Sequence, residues 1–261
     1  MSDSILLHVE GGLARVTFNR PASLNAMDFE MGGRWRDVAH AVTSDPSVGA
    51  VILDAAGPAF CAGGDVVAMA RGAGGADVTR MAHVIHEGIR TLALSDKPIV
   101  AAVQGAVAGG GIGLMLTADY IVAADSAKFV SKYANIGLTP DLGVSTLLPA
   151  AVGQRRALQL LLQDRTLSAE EALEWGLVAE VVPAAAVAGR VEEIAGFWLA
   201  NATAAFGHAK RLVRTGADRP FAENLDDEAA TIGARFDTPE SQMRVAAFAA
   251  ASRKASTKEN A

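Results

Sequence analysis

Only one cysteine, Cys61, occurs in the 261 residues. No disulfide can therefore form within the chain, and a lone thiol suits a reducing compartment. Long hydrophobic runs are also lacking. A bilayer span needs roughly 20 apolar residues, yet the buried-strand pattern Ile99–Val103 gives way at once to Gln104 and glycine. The N-terminal MSDSILLHVEGG has neither the basic start nor the apolar core of a secretory signal. These absences predict a cytoplasmic protein with no membrane partner. Positive charge is in deficit, with 23 Lys and Arg against 29 Asp and Glu and a net charge of −6. Phosphate backbones require a basic footprint, so no nucleic-acid partner is expected. Lys210, Arg211 and Arg214 form the local exception. They read as a solvated helix face, with the phosphates of a small anionic ligand as the alternative. His83 and His86 lie three apart without a third ligand nearby in sequence, so no metal site is expected.

What the chain does have is regular patterning. Ile5–Glu10 and Leu13–Phe18 read as a hairpin around Gly11-Gly12. Asp28–Ser44 reads as a helix, Ala50–Ala55 as a buried strand, and Asp77–Leu94 as a helix with apolar residues near helical spacing. Pro98–Gln104 and Tyr120–Ala124 read as strands on either side of a helix start at Gly109–Thr117. The order strand, glycine loop, helix, strand returns at intervals of roughly 50 residues, which suggests stacked ββα units rather than a doubly wound sheet. Ser168 and Glu171 form a capping box for a short helix closed by Gly176, and Thr238-Pro239 opens the last helix. Beyond Pro183 the pattern is helical throughout, Ala-rich and broadly apolar, as if part of it packs on another subunit.

Two glycine loops carry the chemistry. Ala108-Gly-Gly-Gly-Ile-Gly113 follows a strand and opens a helix. Glycine permits close backbone approach, and a first helical turn has N–H groups without internal partners. A dinucleotide fingerprint fails on spacing, because the third glycine would fall on Leu114, and no P-loop lysine follows. Tight packing of helix on strand accounts for these glycines equally well. Ala59-Phe-Cys-Ala-Gly-Gly-Asp65 also follows a strand. Two such loops could each aim one N–H at a single oxygen, as acyl chemistry needs. Cys61 has no base paired with it in sequence and reads as a small buried side chain rather than a nucleophile.

Asn19-Arg-Pro-Ala-Ser-Leu-Asn-Ala26, Phe60-Cys-Ala-Gly-Gly-Asp65, Lys97-Pro-Ile-Val-Ala-Ala-Val-Gln-Gly105 and Leu167-Ser-Ala-Glu-Glu-Ala-Leu-Glu-Trp-Gly-Leu-Val178 resemble, in order along the chain, the enoyl-CoA hydratase/isomerase (crotonase) family. The resemblance implies an α/β fold, a crotonase-like spiral of stacked ββα units over 1–200 with a helical C-terminal region over 201–261 used for trimerisation. It implies an acyl-CoA substrate, no permanently bound cofactor beyond the coenzyme A of that substrate, and a homotrimer or dimer of trimers. Its oxyanion donors map to the N–H groups of Gly64 and Gly110, and its adenine-side contacts to Ala26, Ala62 and Asp65. Family hydratases use two glutamates where this chain has Gly113 and Tyr133, so two-carboxylate hydration is not expected.

Asp141, in Ile136-Gly-Leu-Thr-Pro-Asp-Leu-Gly143, is the remaining carboxylate of interest. Read from the residues alone, it is a helix N-cap or first-turn acid. By resemblance it matches the active aspartate of family isomerases and of the 4-chlorobenzoyl-CoA dehalogenases, with the surrounding motif most similar to isomerases of the phenylacetate-degradation type. An enoyl-CoA isomerase with one aspartate as proton shuttle is the leading expectation. A hydrolytic enzyme with Asp141 as nucleophile, dehalogenase-like or thioesterase-like, is the alternative, and a non-catalytic relative the third reading. His86 matches a water-activating histidine of the dehalogenases, although a lone helical histidine is commonly structural. Tyr133 reads as a wall of the acyl pocket, and Met69–Val78 as a loop shaping it.

Overall fold

The computed structural model describes residues 3–217 and 219–259, with side chains as far as 252. A glycine turn joins its first two strands, the second of which alternates. β1 (Ile5–Glu10) pairs antiparallel with β2 (Leu13–Phe18), Ile5 opposite Phe18, and β2 buries Ala14, Val16 and Phe18 while the residues between them stay half-exposed. α1 (Phe29–Ser44) starts where the Asp28 carboxylate accepts the Met31 N–H at 2.8 Å, and it buries Met31, Trp35, Val38 and Val42 along one stripe. β3 (Ala50–Ala55) follows, then α2 (Val66–Met69) and α3 (Gly75–Ala93). The stretch read as a loop over Met69–Val78 is shorter than expected. Helix α3 already begins at Gly75, because the Asp77 carboxylate reaches back to the Gly74 N–H at 3.1 Å.

β4 (Ile99–Val103), β5 (Ala106–Ala108), α4 (Gly110–Met115), β6 (Tyr120–Ala124) and β7 (Lys128–Val130) come next. They are followed by α5 (Val144–Val152), α6 (Gln154–Leu162), β8 (Thr166–Leu167), α7 (Ala169–Trp175) and β9 (Glu180–Val182). The larger sheet has the order β1-β2-β3-β4-β6-β9 and is parallel from β2 onward. β4 is buried at every position, as a strand covered on both faces must be. A second layer runs β5-β7-β8 and is continued by single-residue parallel bridges, Cys61 with Val107 and Met27 with Gly64. Each turn of chain thus gives one strand to the large sheet, one short segment to the second layer, and a helix. This is the stacked ββα spiral expected from the sequence.

α8 (Val187–Ala200) lays Val187, Val191 and Ile194 on the outer face of the large sheet against Ile52, Val100 and Val122. The Ser168–Glu171 capping box and the Thr238 cap both form. α9 (Thr203–Gly216) corrects the reading of its basic residues. Lys210 is buried, donating to the carbonyls of Leu92 at 2.9 Å and Lys97 at 2.7 Å and pairing with Asp119 at 3.1 Å. Arg214 shares Asp119 at 3.0 Å, and Arg211 is clamped by Asp227. Lys210 and Arg214 rivet α9 to the core and Arg211 ties it to the following helix, so each cation has a protein partner without a ligand phosphate. α10 (Phe221–Phe236) buries none of its residues, and Phe221, Ile232 and Phe236 stand exposed, as do Met243 and Phe248 of α11 (Pro239–Glu259).

Candidate active site

The two glycine loops meet in the second layer. Met27 donates its N–H to Gly63 O at 2.7 Å and accepts the Asp65 N–H at 2.9 Å. A parallel bridge of this form straddles Gly64 and turns that residue's own N–H to the opposite side. The other loop enters α4 at Gly109, whose φ of +50° and ψ of −123° suit glycine. Gly109 donates to Val130 O at 2.9 Å, and Gly110 follows as the first residue of the helix, without an i−4 carbonyl to bind. The loops are in contact: a Cβ built on Gly63 would lie 3.2 Å from Gly110 N, and one on Gly111 only 2.3 Å from Cys61 O. Cys61 is fully buried between them, its Sγ donating to Asn25 O at 3.2 Å, and burial pushes its thiol up to about 12. The nucleophile reading of Cys61 fails on this count.

Asp141 stands against Gly110. A Cβ on Gly110 would lie 3.4 Å from Asp141 Oδ1 and 2.6 Å from the Leu142 side chain. The carboxylate caps no helix, since α5 begins at Val144 with Gly143 before it. The Tyr133 hydroxyl donates to Asp141 Oδ1 at 2.6 Å. Tyr133 is therefore bound to the carboxylate, whereas the sequence reading gave it only a place in the pocket wall. Leu142 adopts φ +48°, a left-handed conformation that costs a non-glycine residue roughly 1–2 kcal/mol. Burial of its side chain on Gly110 and the bond from its N–H to His86 Nε2 at 3.0 Å hold it there.

His86 thus ties α3 to the Asp141 segment. Because Nε2 accepts a backbone N–H, the ring is neutral with its proton on Nδ1. Burial pulls the imidazole below its ordinary 6.5, opposed by the Asp141 carboxylate and assisted weakly by His83. An unfolded chain therefore takes up this proton at higher pH than the folded one. The contribution of His86 is present above the ordinary value and is lost as pH falls through the lowered one. In urea titrations at pH 7.5 and 5.5, His86→Gln should lose less stability on acidification than the unsubstituted protein. His83 is exposed, and among the described residues no group of three metal-binding side chains occurs.

The residues expected on the adenine side cluster around Arg20. Its guanidinium pairs with Asp28 at 3.0 Å and Asp65 at 3.1 Å and donates to the Ala26 carbonyl. The Ala68 N–H, capped by Asp65, and Arg20 together hold the Asp65 carboxyl below its ordinary range. The Ala62 N–H binds Leu24 O at 3.0 Å. Asn25, fully buried at φ +55°, donates to Ala56 O and Ala59 O at 2.9 and 2.8 Å and accepts the Arg20 N–H at 2.7 Å. Arg20 and Asn25 stand inside the quoted Asn19–Ala26 motif, yet the sequence reading gave them no role. A polar pair in a turn was their only signal. A groove of ≈230 Å³ lies beside Met27, Asp65 and Met69. A far larger cleft of ≈1310 Å³ opens alongside His86 and Asp141, walled by Ile89, Leu147 and Leu177, and borders neither Gly64 nor Gly110.

The sequence profile of enoyl-CoA hydratase/isomerase matches residues 8–259. The chain belongs to the enoyl-CoA hydratase/isomerase family. Within that family it is similar to the 1,2-epoxyphenylacetyl-CoA isomerase of Escherichia coli, 35% identical over 87% of this chain and 88% of the relative. It is also 34% identical to 4-chlorobenzoyl coenzyme A dehalogenase-2 of an Arthrobacter species, over 91% of this chain and 87% of that one. The crystal structure of an enoyl-CoA hydratase/isomerase from Cupriavidus metallidurans superposes with a TM-score of 0.87 at 31% identity, covering 95% of this chain and 94% of the other. The family assignment carries crotonase-type stacking as the fold, and the two relatives above are named for coenzyme A thioesters. Its members differ in reaction, and the reaction has to come from the side chains.

Proposed function

We propose that this family member is an acyl-CoA isomerase in which Asp141 moves a proton along the acyl chain while the N–H groups of Gly64 and Gly110 hold the thioester oxygen. One observation carries the reading: among the described residues a single carboxylate, that of Asp141, stands against Gly110, and the position of a second is sterically shut. A Cβ at Gly113 would lie 1.9 Å from Leu142 O, so a glutamate there requires the backbone to move. Tyr133, at the other hydratase position, is a hydrogen-bond donor to Asp141.

In the proposed cycle the thioester carbonyl accepts both N–H groups, which stabilises the negative charge that develops on its oxygen. Asp141 takes a proton from an activated carbon, and the C–H electron pair passes into a dienolate. The same carboxyl returns the proton to a different carbon, so atoms and charge balance without water. Ala26, Ala62 and Asp65 line the coenzyme end, and the apolar cleft beside Asp141 gives room for the distal acyl group. The exposed apolar side chains of α10 and α11 suit assembly into a homotrimer or a dimer of trimers.

A hydrolytic route has support of its own in the likeness to a dehalogenase and in the closeness of His86 to Asp141. The two routes part at one atom. In single turnover in H2(18)O, an isomerase leaves the Asp141-containing peptide unlabelled, whereas attack by Asp141 followed by hydrolysis inserts 18O into its carboxylate. In D2O the isomerase should wash deuterium into recovered 3-enoyl- or 2-enoyl-CoA. Labelled Asp141 peptide without deuterium wash-in would reverse the assignment.

A further inference from the structure

We propose that Tyr133 is a positioning residue for Asp141, pinning Oδ1 so that Oδ2 is the oxygen that takes and returns the substrate proton. This rests on the proton-shuttle reading and names the part of the machinery that aims the shuttle. The geometry is specific. The phenol oxygen lies 2.6 Å from Oδ1, and the ring is buried against the entry to α4, where a Cβ on Gly109 would be 3.8 Å from Cζ. Among the described residues no donor bonds to Oδ2. Oδ1 is the oxygen nearer Gly110, so the bond fixes rotation of the carboxylate relative to the loop that carries one of the proposed carbonyl donors.

The polarity of the bond is set by its surroundings. Burial and the Asp141 charge both push the Tyr133 phenol up, so the hydroxyl is the donor and the carboxylate the acceptor. A donated hydrogen bond favours the charged carboxylate. It occupies Oδ1 as an acceptor and leaves Oδ2 for the transferred proton. In the first step the proton passes from carbon to Oδ2 while the C–H pair moves into the dienolate. In the second, Oδ2 gives the proton to another carbon and the charge returns to the carboxylate. The other titratable groups around this pair are His86 on α3, His83 one turn earlier, and the buried thiol of Cys61.

The test is Tyr133→Phe, assayed for isomerisation of 3-enoyl-CoA across pH, alone and in a His86→Gln background so that imidazole titration is separated. If Tyr133 positions the carboxylate, kcat falls about tenfold or more. Acyl-CoA affinity then stays within about threefold in both backgrounds. A wild-type kcat profile with a raised KM would overturn the inference and leave Tyr133 as pocket wall. Asp141→Asn run in parallel separates the two levels. If it keeps full turnover, the shuttle reading fails whatever Tyr133→Phe does. If it is inactive and Tyr133→Phe has the wild-type profile, only the positioning role fails.

Discussion

Asp141→Asn is expected to bind acyl-CoA about as tightly as the unsubstituted protein while turning it over about a thousandfold more slowly. A positioned general base contributes roughly 10²–10⁴ in rate, and among the described residues no second carboxylate stands against Gly110 to take over. The amide is nearly isosteric, so it preserves the packing of Leu142 on Gly110 and can still accept the Tyr133 hydroxyl through its carbonyl oxygen. Binding should survive because the Ala26, Ala62 and Asp65 side of the site is built separately, around Arg20. Isothermal calorimetry with acyl-CoA and a spectrophotometric isomerisation assay measure the two quantities on one sample. Loss of both together would instead point to collapse of the 131–143 segment.

The largest expected effect on stability lies elsewhere, at Asp119. Its carboxylate pairs with Lys210 at 3.1 Å and Arg214 at 3.0 Å and accepts the Ile99 N–H at 2.9 Å. Asp119→Ala strands the Lys210 ammonium, whose side chain is only 4% exposed, without its paired carboxylate. Breaking a buried pair in this way costs about 3–5 kcal/mol. Burial already pulls the Lys210 ammonium below its ordinary range despite the Asp119 charge, so the intact pair offsets desolvation rather than adding a surplus. The loss would come from the stranded cation, and Lys210→Met combined with Asp119→Ala should cost less than the two single changes added together. Urea unfolding of the four proteins closes that cycle. Equal and additive losses would show that the groups do not act as a unit.

How far the sequence was legible follows from the range of the interactions involved. β1 and β2 announce themselves by the Gly11-Gly12 turn between them, α1 by its stripe and its Asp28 cap, and α7 by the Ser168–Glu171 box, because each is specified within a few residues. The large sheet could be anticipated from the recurrence of short apolar strands. Its second layer could not, since there Met27 meets Gly64 and Cys61 meets Val107 through single residues without a strand-length pattern. Lys210 was misread for a related reason. A Lys-Arg pair on a helix is usually solvated, and only the distant Asp119 and two carbonyls make its burial tolerable. At the site, the motifs pointed to Asp141, Gly64 and Gly110, but the partnership of Tyr133 with Asp141 depends on the path of the chain between them. That path bends at Gly137 in the left-handed region, and it is flanked by further left-handed residues, Lys132 before it and Leu142 and Gly143 after it.

The contact between Gly113 and the Leu142 carbonyl has a consequence for how such an enzyme could change its chemistry. Most shifts of reaction within a scaffold are pictured as exchanges of side chains on a fixed frame. Here the frame itself occupies the volume in which a second acid would begin. The segment carrying Asp141 has to be re-laid before any larger residue at position 113 is tolerated. An evolutionary or engineered passage to a two-carboxylate site must then start with an insertion, a deletion or a changed turn near Pro140 to Gly143, and only afterwards add the acid.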